Sequence, residues 1–395
     1  MASPLLLTRD EELEDLLGRV GVPARVSLDC EFHGEKRYRP ALYLVQLGIG
    51  DEYVCVDAVR VDLKPLRALL ESADVQKVVH AGREDLRLLT RASGATRVAG
   101  VFDTQIAAAF LGYGLTVGYA PLVKDLLDVE LDKSNQFTDW SRSLTQQQIE
   151  YALNDVRYLT PVATLLRDAL EQRGRLDWAL EASAVASAAA LVDPDPRLLY
   201  RKVNGFAKLR ESELGRLREL AAWRDSIAAA EDCRPESVMN DAALKQLAVA
   251  PPSKPAQLRG ARGVGIGGSE KWWTSLRAAI ALGDAEPEPR PRFTDPDPRV
   301  ESMALLLGVV RRVIATEQDV AAELLASTPE LRTLAEWRLG GESAPPRHLD
   351  VLVGWRKQLI GDCLLATVNG ELVVTVAPDS PSGLLLAPAR REPFG

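Results

Sequence analysis

From Arg25 onward, short runs rich in Val, Leu and aromatic residues alternate with stretches of helical period, which limits the possible folds more than any other feature. RVSLDCEF and ALYLVQLGI read as two strands joined by a charged turn, HGEKRYRP, and EYVCVDA reads as a further strand. An amphipathic helix is predicted around Leu63–Glu71. VQKVVHA is a β-branched run leading into the helical EDLRLLTRA, and VFDTQIAAAFLGY begins as a strand and continues as a helix. Strands interleaved with helices over about 180 residues specify an α/β domain with a mixed sheet. The opening MASPLLLTRDEELEDLL carries no basic segment before its brief apolar run, so it reads as a small strand entering a helix and not as a secretion signal.

After Trp178 the strand signals vanish. The stretch from Asp193 to Leu282 reads as several short helices, clearest in SELGRLRELAAWRDSIAAAE, where Leu214, Leu217, Leu220, Ala221 and Ile227 share a face. DAEPEPRPRFTDPDPR is a Pro-rich, acidic linker, residues 299–376 form a second helical unit, and APDSPSGLLLAPARREPFG is a loosely held tail. A chain of 395 residues exceeds what one core organises. The expected division is 1–190, 195–284, a linker at 285–298, 299–380, and a flexible tail at 381–395.

With 46% hydrophobic and 26% charged residues the chain is globular, and its apolar runs are too short and too often interrupted by charge to span a bilayer. Four scattered cysteines without a C-x-x-C pair argue against a zinc module or disulfide framework and fit a reducing cytoplasm. The net charge of −8 looks wrong for a nucleic-acid binder, but it is unevenly spread. Pro196 to Gly283 holds 15 Lys/Arg against 9 Asp/Glu, a local +6 that leaves −14 elsewhere. A carboxylate-bearing part and a phosphate-holding part would divide charge in this way.

Three constellations carry chemistry. Asp29-Cys30-Glu31 ends an apolar run, and strand alternation points both acids to one face and Cys30 to the other. Two adjacent carboxylates raise each other's pKa unless a cation sits between them, although an exposed strand end would also tolerate two ordinary acids. In KVVHAGREDLRLL, Asp85 lies near a helix start, where the helix dipole alone would favour it. His80 reads equally well as a hydrogen-bonded, partly buried residue. Tyr151 and Asp155, four apart in LTQQQIEYALNDVRYLTPVATLL, share one face of a predicted helix. Tyr151 would serve as core filler too, but Asp155 lies among Leu153, Val156, Tyr158 and Leu159, and an acid on that side needs a partner. ARGVGIGGSE lacks both a preceding strand and a G-K-[ST] ending, so it reads as a turn between helices and not as a phosphate loop.

Taken in order, the acid pair, the acid at a helix start and the Y-x-x-x-D resemble the tyrosine-bearing branch of the DEDD exonuclease superfamily. LDCEFHGEKRYRPALYLVQLG, KVVHAGREDLRLL and SNQFTDWSRSLTQQQIEYALNDVRYLTPV resemble the three motifs of the ribonuclease D family, across roughly residues 25–180. Residues 195–283 resemble an HRDC domain, and 299–376 resemble a second, more divergent HRDC-like unit.

The resemblance implies a ribonuclease H-like α/β exonuclease domain followed by two all-α HRDC-like domains. It implies a metal-dependent 3′→5′ exoribonuclease acting on single-stranded RNA 3′ ends, tRNA precursors among them, and releasing nucleoside 5′-monophosphates. Asp29, Glu31, Asp85 and Asp155 would hold two Mg²⁺ or Mn²⁺ ions, Asp29 bridging them, and Tyr151 would orient the attacking water. Hard oxygen donors suit these ions. His80 and Gln46 are candidate substrate-binding residues. Three other readings stay open: a DNA 3′→5′ exonuclease of the same superfamily, a non-catalytic nucleic-acid-binding protein, and a helical scaffold recruited through the HRDC-like units.

Overall fold

The computed structural model describes residues 5–34, 36–132, 138–259, 261–291, 297–341, 343–346 and 348–389. Residues 133–137, of which 134–137 open the expected third motif, lie outside that set, as do 292–296 of the expected linker. Six strands, β1 (Leu6–Leu7), β2 (Arg25–His33), β3 (Ala41–Ile49), β4 (Glu52–Asp57), β5 (Gln76–Val79) and β6 (Val101–Asp103), form one sheet in the order β1-β4-β3-β2-β5-β6. Strands β2, β3 and β4 are joined by connections too short for a crossover, so they form antiparallel hairpins. The chain then crosses through the helices Leu66–Glu71 and Arg83–Ser93, and β2, β5 and β6 run parallel. The result is the expected mixed sheet flanked by helices.

The chain divides into two compact units. One comprises residues 1–29, 45–191 and 294–395, the other residues 30–44 and 192–293; β2 runs from the first into the second. In the first unit Phe102, Phe110, Val156 and Leu159 share a single apolar cluster with Leu307, Val310, Leu334 and Trp355. The helices after residue 297 thus complete the core of the sheet region. Phe110 and Trp355 meet edge-on with ring centroids 4.9 Å apart, and Trp178 stacks on Trp355 at 5.6 Å. The backbone follows suit: Ala321 N–H donates to the Ala109 carbonyl at 2.9 Å, and Arg175 donates to the Phe110 carbonyl and to Gln318. Gly112 has no room for a Cβ, because the Asp319 carboxylate occupies that space.

The second unit has its own core, built by the helices Glu211–Ala230, Asp241–Val249 and Trp273–Ala285 around Leu214, Leu217, Leu220, Trp223 and Ile280. Glu211–Ala230 is buried on more than the single expected face, and it also buries Glu213, Glu219 and Arg224, each in an ion pair. ARGVGIGGSE does form a turn between helices. A Cβ on Gly265 would stand 2.0 Å from the Ser237 carbonyl oxygen, so only glycine fits that approach. Glu286 and Glu288, in the expected linker, are held by Arg197, Arg218 and Tyr200.

Three local expectations need correction. The stretch read as one helix from Thr145 onward is two, Gln146–Arg157 and Leu159–Gln172, divided at Tyr158. Pro161 explains the break, since its ring would clash with the Arg157 carbonyl and it has no N–H to continue the ladder. Strands do recur after Trp178: β7 (Leu372–Val376) pairs antiparallel with β8 (Leu384–Pro388). The segment expected to be a loose tail therefore supplies a strand, turned by Gly383 at φ 71°; residues 390–395 lie outside the described set. No helix among the described residues is long and apolar enough to cross a membrane.

Candidate metal centre

Strand β2 carries the centre. Val26, Leu28 and Cys30 are buried on one face of the sheet. On the other face Ser27 bonds Thr160 at 2.8 Å, and Asp29 and Glu31 follow it toward the helix Gln146–Arg157. That helix starts with a capping box, in which Thr145 and Gln148 satisfy each other's backbone N–H groups. It buries Ile149, Ala152, Leu153 and Val156, and this packing fixes where Asp155 lies. Carboxylate oxygens of Asp29, Glu31 and Asp155 all lie within 4.8 Å of one another. Tyr151 sits one turn before Asp155, half-buried.

Asp85 is outside that trio. It is buried in the first turn of the helix Arg83–Ser93. The turn delivering it is strained and braced: Ala81 has φ 54°, in the left-handed region, and the Ala81 and Gly82 N–H groups donate to the Asp103 carboxylate at 3.0 and 3.1 Å. Gly82 approaches Val79 so closely that a Cβ would lie 2.5 Å from that side chain's own Cβ. Asp103 also caps the helix Thr104–Ala109.

Burial pushes the Asp155 carboxyl up to about 7 by desolvating its charged form. Tyr119 stands beside the trio. Burial raises its phenol above the usual range, the nearby charges of Asp155 and Asp29 raise it further, and it donates to the Asn154 carbonyl. Three oxygen-donor side chains converging on one point fit a hard divalent cation, which would favour the ionised form of Asp155.

The two candidate substrate contacts are placed differently. His80 is tied at both ring nitrogens, Nε2–H donating to the Val117 carbonyl at 3.0 Å and Nδ1 bonding Thr104 at 2.9 Å. Burial lowers its pKa, so the ring is a neutral brace. Gln46 is 0% exposed and cannot touch a substrate directly. Asp103 and Tyr119 were missed as supporting residues. The D-T of VFDTQ, a cap signal straight after a strand, was the available clue for Asp103; Tyr119 had none.

This geometry belongs to a known class of protein. Residues 5–171 match the 3′-5′ exonuclease family model, and residues 213–271 match the HRDC domain. Ribonuclease D of Gluconacetobacter diazotrophicus is 37% identical over 381 residues, covering 94% of this chain and 95% of the relative. Ribonuclease D of Granulibacter bethesdensis is 36% identical, covering 95% of each chain. The crystal structure of Escherichia coli RNase D, an exoribonuclease involved in structured RNA processing, superposes with a TM-score of 0.81 at 28% identity, covering 93% of this chain and 99% of that one. The chain is a 3′→5′ exonuclease, and it belongs to the ribonuclease D family. It is accordingly a metal-dependent exoribonuclease that binds RNA.

Proposed function

We propose that the chain trims RNA 3′ ends one nucleotide at a time, releasing nucleoside 5′-monophosphates in the cytoplasm, with tRNA precursors among its substrates. Asp29, Glu31 and Asp155 would hold one divalent ion, Mg²⁺ or Mn²⁺, and Asp29 with Asp85 would hold a second. The convergence of three carboxylates within 4.8 Å carries this reading. When bound, such ions lower the pKa of water and neutralise the departing 3′ oxygen. The residues do the rest. Asp155 and Glu31 fix the side from which water approaches, and Tyr151 orients that water through its hydroxyl. Asp103 holds the turn that presents Asp85, and residues 195–284 act as an HRDC module supplying cationic surface to the RNA.

End-labelled single-stranded RNA and a DNA strand of the same sequence, each with Mg²⁺, Mn²⁺ or EDTA, test this proposal. Mononucleotides from RNA that disappear in EDTA are expected; full turnover in EDTA, or faster digestion of DNA, would overturn it. Tyr151→Phe tests the tyrosine separately. It keeps the ring and its packing, so kcat should fall roughly 10²–10⁴-fold, the range of positioned acid–base groups, with Tm and RNA affinity near wild type. A normal kcat would leave Tyr151 as packing.

A further inference from the structure

Gln46 is the one residue of the β3 core that its surroundings do not explain. It is fully buried between Val45 and Leu47, themselves fully buried, and neither its Oε1 nor its Nε2 has a hydrogen-bond partner. An apolar side chain of the same length would fill the space without the desolvation cost of an unpaired amide.

Its place in the sheet is fixed by Gly48. A Cβ there would stand 3.3 Å from Ser27 Cβ on one side and 3.1 Å from the Tyr53 ring on the other. In antiparallel hairpins each step of two along β3 matches a step of two back along its neighbours. Gln46 therefore lies beside Asp29 on β2 and beside Cys55 on β4. All three share the face covered by the helix Gln146–Arg157, since Cys55 Sγ reaches the Ile149 carbonyl and Asp29 meets Asp155. The amide is thus a cross-strand neighbour of a metal-binding carboxylate, in a space closed to solvent.

We infer that Gln46 is a positioning residue for Asp29, its Nε2–H₂ turning onto the Asp29 carboxylate once that carboxylate binds an ion. The inference rests on the metal centre proposed above. A carboxylate ligand is orientationally soft: two oxygens and a rotatable torsion allow several ways of meeting a cation. A donor on its outer oxygen selects one of them, and such outer partners typically carry 10- to 100-fold in metal affinity. Such a role accounts for a polar group at a core position where nothing else engages its amide. Asp29 is also the ligand that would serve both ions, so its orientation matters most.

Gln46→Leu and Gln46→Met, in the full chain, test the assignment by two readouts that a packing role would move differently. Calorimetric titration with Mn²⁺ should show affinity weakened at least tenfold, and the Mn²⁺ concentration for half-maximal rate should rise in parallel while KM for RNA holds. Thermal unfolding in EDTA should give Tm equal to or above wild type. Unchanged Mn²⁺ affinity, or a Tm lowered by many degrees in whichever variant is soluble, would overturn the assignment and make Gln46 a packing residue. If the wild-type chain binds no Mn²⁺, the metal centre itself fails first; wild-type binding with an unaltered variant defeats Gln46 alone.

Discussion

The two helical regions that follow the sheet look alike in sequence and are held in opposite ways. Residues 192–291 form a core distinct from that of the sheet: Tyr200, Leu217, Leu220, Trp223 and Leu244 make an apolar cluster against which Tyr38, from the segment 30–44 of the same unit, also packs. Among the described residues of 298–368, most of the buried apolar side chains join the cluster of the sheet region. Leu307, Leu334 and Trp355 share theirs with Phe110, Val156 and Ala179. The difference teaches that a helical segment read as an appended module can be the missing wall of the catalytic core. In place of a self-standing exonuclease domain at 1–190, the first unit takes in residues from both ends of the chain.

The strongest way to break this contrast is to remove residues 298–395. Phe110 and Trp178 would lose a wall of their core, so the truncated chain should lose its cooperative unfolding transition altogether; a soluble, active product with a sharp transition would restore the view of an independent module. A milder version compares two tryptophans. Trp355→Ala and Trp223→Ala should each cost about 3–5 kcal/mol. Only Trp355→Ala should lower the transition that Mn²⁺ raises, which calorimetry with and without the ion would separate.

Asp155→Asn sharpens the same contrast from the metal side. The folded, ion-free carboxyl is raised to about 7 against 3.8 for an ordinary aspartate. The group thus favours folding at low pH, and this contribution is lost as pH rises through 7. In EDTA at pH 8 the variant should therefore melt higher than wild type, by something on the order of a few degrees, with the gain vanishing near pH 4. Tm values that stay parallel across that range would mean Asp155 is not desolvated. The smallest effect belongs to Arg173 and Asp319, whose 2.9 Å ion pair is largely exposed. Arg173→Ala should change stability by about 0.2–1 kcal/mol and weaken it less as salt rises.

Much of the centre was legible because it rests on local periodicity. Period two along β2 aligns Asp29 with Glu31, and the four-residue spacing aligns Tyr151 with Asp155. What depends on distant chain was not legible. That Asp103 would brace Ala81 follows from the pairing of β5 with β6, and a short cap signal cannot state it. Trp355 reads as a bundle residue whichever core receives it, because Leu, Ala and Trp carry no address. The β7–β8 hairpin was hidden in Pro- and Ser-containing text whose Val and Leu runs are too brief to stand out.

The alternation along β2 has a consequence for how such a chain can change. Every odd residue from Ser27 to Glu31 faces the catalytic side and every even one the opposite core, so the strand has no neutral reading frame. Deleting a single residue between Arg25 and Asp29 would bring Cys30 and Phe32 in place of the two carboxylates. The oxygen-lined cradle for a hard cation would become one with a lone thiol, a donor for soft metals. Substitution can tune this strand gradually; insertion or deletion of one residue would instead exchange one metal chemistry for another in a single step.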